Sequence, residues 1–151
     1  MRRTAQLTLA ISFLGAIACV RVSAAETAKL TPTVQNIDSL LSVYFLGDDQ
    51  DFRSDMVASD SLSSVHLTQI RGALDSHRHV FHQETVWIIR GAGQLTLDGV
   101  KHKVAAGTLV TIPPDTPHSF YSLGKIPTVV ISVFSPAFDG KDRVYENPAK
   151  H

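Results

Sequence analysis

After Asp60 the chain breaks into short apolar, β-branched runs with turn residues between them. Ser64 to Ile70, Thr85 to Ile89, Gly93 to Leu97, Val100 to Val104, Thr108 to Ile112, His118 to Ser122 and Thr128 to Phe134 read as strands. Asp98-Gly99 separates two of these runs by two residues, the signature of a hairpin whose turn needs positive φ at both central positions. Gly72, Gly91, Gly93, Gly107 and Pro113-Pro114 punctuate the others. Short strands at close spacing, with no helix between them, predict an antiparallel sandwich or small barrel.

Upstream the pattern differs. Val34, Ile37, Leu40, Leu41 and Tyr44 recur at helical spacing and predict a short helix, although Val43 to Leu46 reads equally well as a strand. Gly47 to Asp51 is a polar loop, Ala25 to Pro32 a leader without pattern, and Asp139 to His151 a polar tail expected to wrap the outside or fray. The expected organisation is a signal peptide over 1–25, an N-terminal extension over 26–59, a barrel over 60–138 and a tail over 139–151.

Residues 1–25 carry Arg2 and Arg3, then an apolar run from Ala5 to Val20, then Ser23, Ala24 and Ala25. That is the layout of a secretory signal peptide, and the run is shorter and more interrupted than a membrane span. Export to the periplasm or the extracellular space is therefore expected, without stable membrane insertion after cleavage. A lipid anchor on Cys19 is the alternative. Cleavage would leave 11 basic and 14 acidic groups and no cysteine. Disulfides, a cysteine nucleophile and cysteine metal sites are then excluded. The balanced charge also argues against a nucleic-acid partner, which needs clustered Lys and Arg.

All seven histidines lie beyond the leader, and three crowd into residues 77–82. On a strand, residues two apart point the same way, so His77 and His79 project together and can converge on one metal ion. Glu84, five positions beyond His79, joins them only if the chain bends between Val80 and Gln83. His118 follows a proline-rich turn and starts a strand that can lie beside the first pair.

Gly72 to His79, then Glu84, then Gly91, resemble the first signature motif of the cupin superfamily, and Gly107, Pro113 and His118 resemble the second. Two departures, the close spacing of Gly72 to His77 and the presence of Asp115 and Ser122 in the second motif, fall outside the ligand positions. The resemblance implies an all-β, small antiparallel barrel (a double-stranded β-helix of jelly-roll type) with a short N-terminal helix or extension. It implies a metal site of His77, His79, Glu84 and His118, holding one divalent transition ion among Fe, Mn, Ni, Cu and Zn. The implied activity is that of a metal-dependent enzyme on a small molecule, dioxygenase-like, with Glu84 also catalytic as a base. A metal-dependent isomerase or decarboxylase, and a non-catalytic periplasmic ligand or metal carrier, are the alternatives. Homodimerisation through the outer strands is likewise a family expectation.

Around this constellation, Val86 and Ile88 should share the face of Glu84 and line the pocket, with Trp87 outside. Phe120 and Ser122 should share the face of His118. His82 is expected to face solvent from the bend, or to replace Glu84 as a ligand. His66 is expected to be a partly exposed strand residue. The Asp98-Gly99 turn pairs Leu95 with His102, which predicts a buried, hydrogen-bonded His102. Arg71 is read as a solvated strand-end arginine or a carboxylate anchor, and Asp115 as a turn residue.

Overall fold

The computed structural model describes residues 32–146. It contains one helix, α1 (Ile37–Val43), and ten strands: β1 (Phe52–Ser59), β2 (Ser64–Ile70), β3 (Ala73–Arg78), β4 (Gln83–Arg90), β5 (Ala92–Leu97), β6 (Val100–Ala105), β7 (Leu109–Ile112), β8 (His118–Leu123), β9 (Thr128–Ser135) and β10 (Val144–Tyr145). The strands form two five-stranded sheets, ordered β1-β2-β9-β4-β7 and β10-β3-β8-β5-β6. Every pairing is antiparallel. This is the all-β jelly-roll barrel that the strand pattern and the motifs predict.

The inner faces follow from side-chain alternation. Along β8, His118, Phe120 and Ser122 point inward and are buried, while Tyr121 and Leu123 are exposed. On β4, Glu84 and Ile88 are buried and Trp87 is turned out. Ile70, Ile88, Leu95, Val104, Phe120 and Val130 from both sheets make the core. Gly93 has a steric role there, because a Cβ at that position would stand 2.0 Å from Cζ of Phe120. The absent side chain is the space in which the Phe120 ring lies.

The Asp98-Gly99 turn adopts positive φ at both residues, 47° and 77°. It sets Leu97 against Val100 and Leu95 against His102, as the two-residue loop requires. His102 is nevertheless exposed. Strand β6 is the edge of its sheet, and the inward-facing position that is buried along it is Val104. His66 departs the opposite way: it is buried, with the Ser64 hydroxyl 3.0 Å from Nε2 and the Phe134 ring edge-on. Strand β2 lies between β1 and β9 and is buried along almost its whole length.

Two segments outside the expected barrel belong to it. Phe52–Ser59 pairs with β2, so the sheet begins before residue 60. Its alternation is weak in the sequence because Arg53 and Asp55 form an ion pair with each other at 2.6 Å and lie half-buried. In the tail, Val144 and Tyr145 pair with Arg78 and His77, and Glu146 N–H donates to the Ser76 carbonyl at 2.9 Å. The described part of the tail therefore docks. Asn36 caps α1 by accepting the N–H groups of Asp38 and Ser39, and Asp38 meets Arg90 of β4. Arg71 donates to the carbonyls of Gly47, Asp48 and Gln50, so it fastens the loop before β1 and is neither free in solvent nor aimed at a ligand. The expected signal peptide, with Cys19, lies outside the described residues.

Candidate metal centre

Strand pairing builds the centre. His77 on β3 is in register with His118 on β8, and His79 follows one residue beyond the end of β3. The chain then bends through Val80 to His82 and starts β4 at Gln83, which brings Glu84 back to the same pole. One ring nitrogen from each of His77, His79 and His118 lies within 4.8 Å of the others. All three side chains are buried. Glu84 Oε2 stands 3.4 Å from Nε2 of His118 and 3.9 Å from Nε2 of His79. The structure thus brings together all four residues that the motifs single out.

The hydrogen bonds decide which nitrogen of each ring is available. Nδ1–H of His77 donates to the Asp75 carbonyl, that of His79 to the Asp142 carbonyl and that of His118 to the Thr116 carbonyl, each at 2.9 Å. A carbonyl accepts only, so each neutral ring carries its proton on Nδ1 and its lone pair on Nε2. Nε2 of His79 and of His118 are buried with no hydrogen-bond partner. Buried polar atoms without partners are costly and uncommon in folded proteins, and a ligated ion removes that cost. Backbone-oriented imidazoles with free Nε2 atoms beside a carboxylate are a donor set that fits a divalent transition ion.

The electrostatics agree. Burial, reinforced by the neighbouring His118, pushes His77 down to about 3. Burial pushes His79 down to about 4, against the pull of Glu84. Both are neutral, as ligands must be, across the physiological range. Burial alone would raise the Glu84 carboxyl, but the adjacent His118 imidazole, the Ser132 hydroxyl and His79 outweigh it and hold the pKa below its ordinary value. Glu84 is therefore an ionised, buried carboxylate.

Aromatic rings wall one side. Phe134 and Phe138 stack at 4.7 Å and present their faces or edges to His79 at 5.0 and 4.9 Å. His82 is buried and does not replace Glu84. Its Nδ1 meets the Asp142 carboxylate at 2.5 Å and its Nε2 meets the Ala137 carbonyl at 3.3 Å. Asp142 also accepts the N–H groups of Val80 and Phe81. The expectation of a solvent-facing His82 fails because the tail folds over the bend. Asp115 has a φ of 59°, as a turn residue between prolines can, and it also pairs with Arg78 at 2.9 Å.

From this pole a cavity runs between the sheets, walled by Val86, Ile88, Leu95, Val130 and other apolar side chains, with His77, Glu84, His118 and Arg143 on its surface. Asp142 and Arg143 were not legible as functional residues. The bend that Asp142 holds lies about sixty positions away and the Phe52 ring under Arg143 about ninety, and nothing in the tail's composition marks either residue.

Residues 67–134 match the family described as the cupin domain. The chain is 33% identical over 66 residues to an uncharacterised protein of Methanocaldococcus jannaschii, covering 44% of this chain and 53% of that protein. It is 35% identical over 81 residues to an uncharacterised protein of Aquifex aeolicus, covering 54% of this chain and 66% of that one. The matched region thus spans about half the length of the first relative and just under two thirds of the second. A solved protein of Klebsiella pneumoniae with a double-stranded β-helix domain superposes with a TM-score of 0.61 at 21% identity, over 74% of this chain and 94% of that one. This last likeness is one of fold.

Proposed function

We propose that the chain, which belongs to the cupin superfamily, is an exported, metal-dependent oxidoreductase of dioxygenase type that acts on a small molecule. The observation that carries the proposal is the pole itself, where buried imidazoles with free Nε2 atoms stand beside an ionised carboxylate at the end of an apolar cavity. His77, His79 and His118 would hold the ion through Nε2, and Glu84 would be the fourth donor. Fe, Mn, Ni, Cu and Zn all suit three nitrogens and one carboxylate oxygen. When bound, such an ion supplies Lewis acidity and, for iron or copper, a redox couple.

The residues of the chain do the rest. The apolar walls exclude water and receive the body of the molecule. The carbonyls of Asp75, Thr116 and Asp142 keep each imidazole in one tautomer and one orientation. Glu84 is the one carboxylate on the cavity wall among the described residues, and its ionised Oε2 can take a proton from a bound molecule. That carboxylate supports a second reading, isomerisation or decarboxylation by proton transfer without change of oxidation state.

The test is metal content of the purified protein, made without a histidine tag, beside the His77→Ala/His79→Ala double variant. Close to one ion per chain, lost in the variant, is the expected result. Iron or copper, with oxygen uptake on enediols, catechols or flavonols, supports the oxidoreductase; zinc without uptake supports the second reading. Little metal in both proteins, and none taken up on reconstitution, overturns metal dependence and leaves a binding barrel. Export is tested separately by the mass of the protein recovered outside the cytoplasm, which should lack residues 1–25.

A further inference from the structure

Arg143 stands apart from the other arginines of the described residues. Arg53 pairs with Asp55, Arg78 with Asp115 and Glu146, Arg90 with Asp38, and Arg71 is spent on loop carbonyls. Arg143 forms no ion pair with a described carboxylate, and its Nε is buried without a hydrogen-bond partner; Arg78 Nε also lacks such a bond but lies 2.9 Å from the Asp115 carboxylate. Its guanidinium lies over the Phe52 ring, 5.5 Å from the centroid. That contact steadies the plane but satisfies none of its N–H donors.

The residue is also held in place. Asp142 before it is tied to the β3–β4 bend, and Val144 after it pairs with Arg78 on β3. A short, doubly anchored stretch of backbone thus directs a cation into the same cavity that His77, Glu84 and His118 line. The other charged side chain on the cavity wall is Glu84, which faces the imidazoles. With a divalent ion at the pole, the cavity would hold two positive centres against one carboxylate.

Resting on the small-molecule reading above, we propose that the cavity is an anion site, in which Arg143 takes the carboxylate of a ligand whose apolar body lies between the sheets. A guanidinium offers a planar fork that matches a carboxylate with two parallel bonds. A partly buried guanidinium without an acceptor is costly, and a carboxylate ligand removes the cost that an uncharged molecule leaves in place.

The test uses two probes of one shape, cyclohexanecarboxylate and cyclohexanecarboxamide, with affinity measured by calorimetry on the zinc-loaded protein. The carboxylate should bind at least about tenfold tighter than the amide, the ratio one charge-assisted hydrogen bond supplies. Arg143→Met should abolish that preference while changing amide affinity less than about threefold. Arg143→Lys, which keeps the charge and loses the fork, should keep part of it and guards against a folding defect in the first variant. Equal binding of the two probes, no binding of either, or a preference unchanged in Arg143→Met each overturns the proposal. The same titration on His77→Ala/His79→Ala separates it from the metal reading. A preference retained there assigns the carboxylate to Arg143, and a preference lost there but kept in Arg143→Met assigns it to the ion and overturns the proposal. Metal content unchanged in Arg143→Met, and lost in the histidine variant, keeps the two failures distinct.

Discussion

His79 and His82 stand three residues apart in one bend, both are buried, and both touch Asp142. His79 gives Nδ1–H to the main-chain carbonyl of Asp142 and leaves Nε2 without a partner. His82 commits both nitrogens, one to the Asp142 carboxylate and one to the Ala137 carbonyl. The first imidazole is left able to ligate, and the second fastens the tail to the bend. What separates ligand from strut is whether a ring nitrogen is left without a hydrogen-bond partner, not burial, residue type or neighbourhood.

The deepest test of that contrast is metal affinity. The His77→Ala/His79→Ala variant should lose stoichiometric binding, a fall of more than about a hundredfold in affinity, whereas His82→Gln should keep its ion and lose at most about tenfold through looser orientation of His79. Equal losses in a chelator competition would erase the distinction.

Acid should separate the regions next. The folded protein holds His77 at about 3 and His79 at about 4, below the ordinary 6.5 that the unfolded chain regains. Between pH 6.5 and about 4 the unfolded state therefore binds more protons. Stability from these two groups is complete above 6.5 and drains as pH falls through that window, by up to about 1 kcal/mol per pH unit for each. Urea melts of metal-free protein from pH 7 to 4.5 should show this slope, and the double alanine variant should flatten it.

The clamp that Asp142 forms on the bend, through Val80, Phe81 and His82, ranks third in expected effect. Asp142→Ala removes the acceptor for Val80 N–H, Phe81 N–H and His82 and should cost about 2 kcal/mol in the same melts. It keeps the main-chain carbonyl that orients His79, so metal should still bind, more weakly. Gly93→Ala, which forces Phe120 to move, should cost about 1–3 kcal/mol without involving either region. The smallest effect belongs to His102→Gln, which should change stability by less than about 0.5 kcal/mol, because the side chain is exposed on an edge strand.

What the sequence conveyed and what it withheld divide along the same line. Strands with clean alternation, such as β8, and the hairpin at Asp98-Gly99 were legible because their signals are local. The His-x-His spacing was legible for the same reason, since period-two geometry places both rings on one face. His82 was misread because its partners, Asp142 and Ala137, are some sixty positions away. His102 was misread because pairing with Leu95 fixes the face of the sheet but not whether the facing sheet extends far enough to cover it. β1 hid its alternation behind the Arg53–Asp55 pair.

The clamp has one more consequence, in the order in which the molecule is made. By Ser135 a growing chain holds nine of the ten strands of the described residues and all three imidazoles of the pole. It lacks the carbonyl of Asp142 that fixes the tautomer of His79 and the strand that lies against His77. A truncated or unfinished copy would carry the whole ligand list and still present a loosely aimed donor. Completeness of the chain is thereby written into the quality of the centre, and a copy cut short near its end should be a poor competitor for scarce metal.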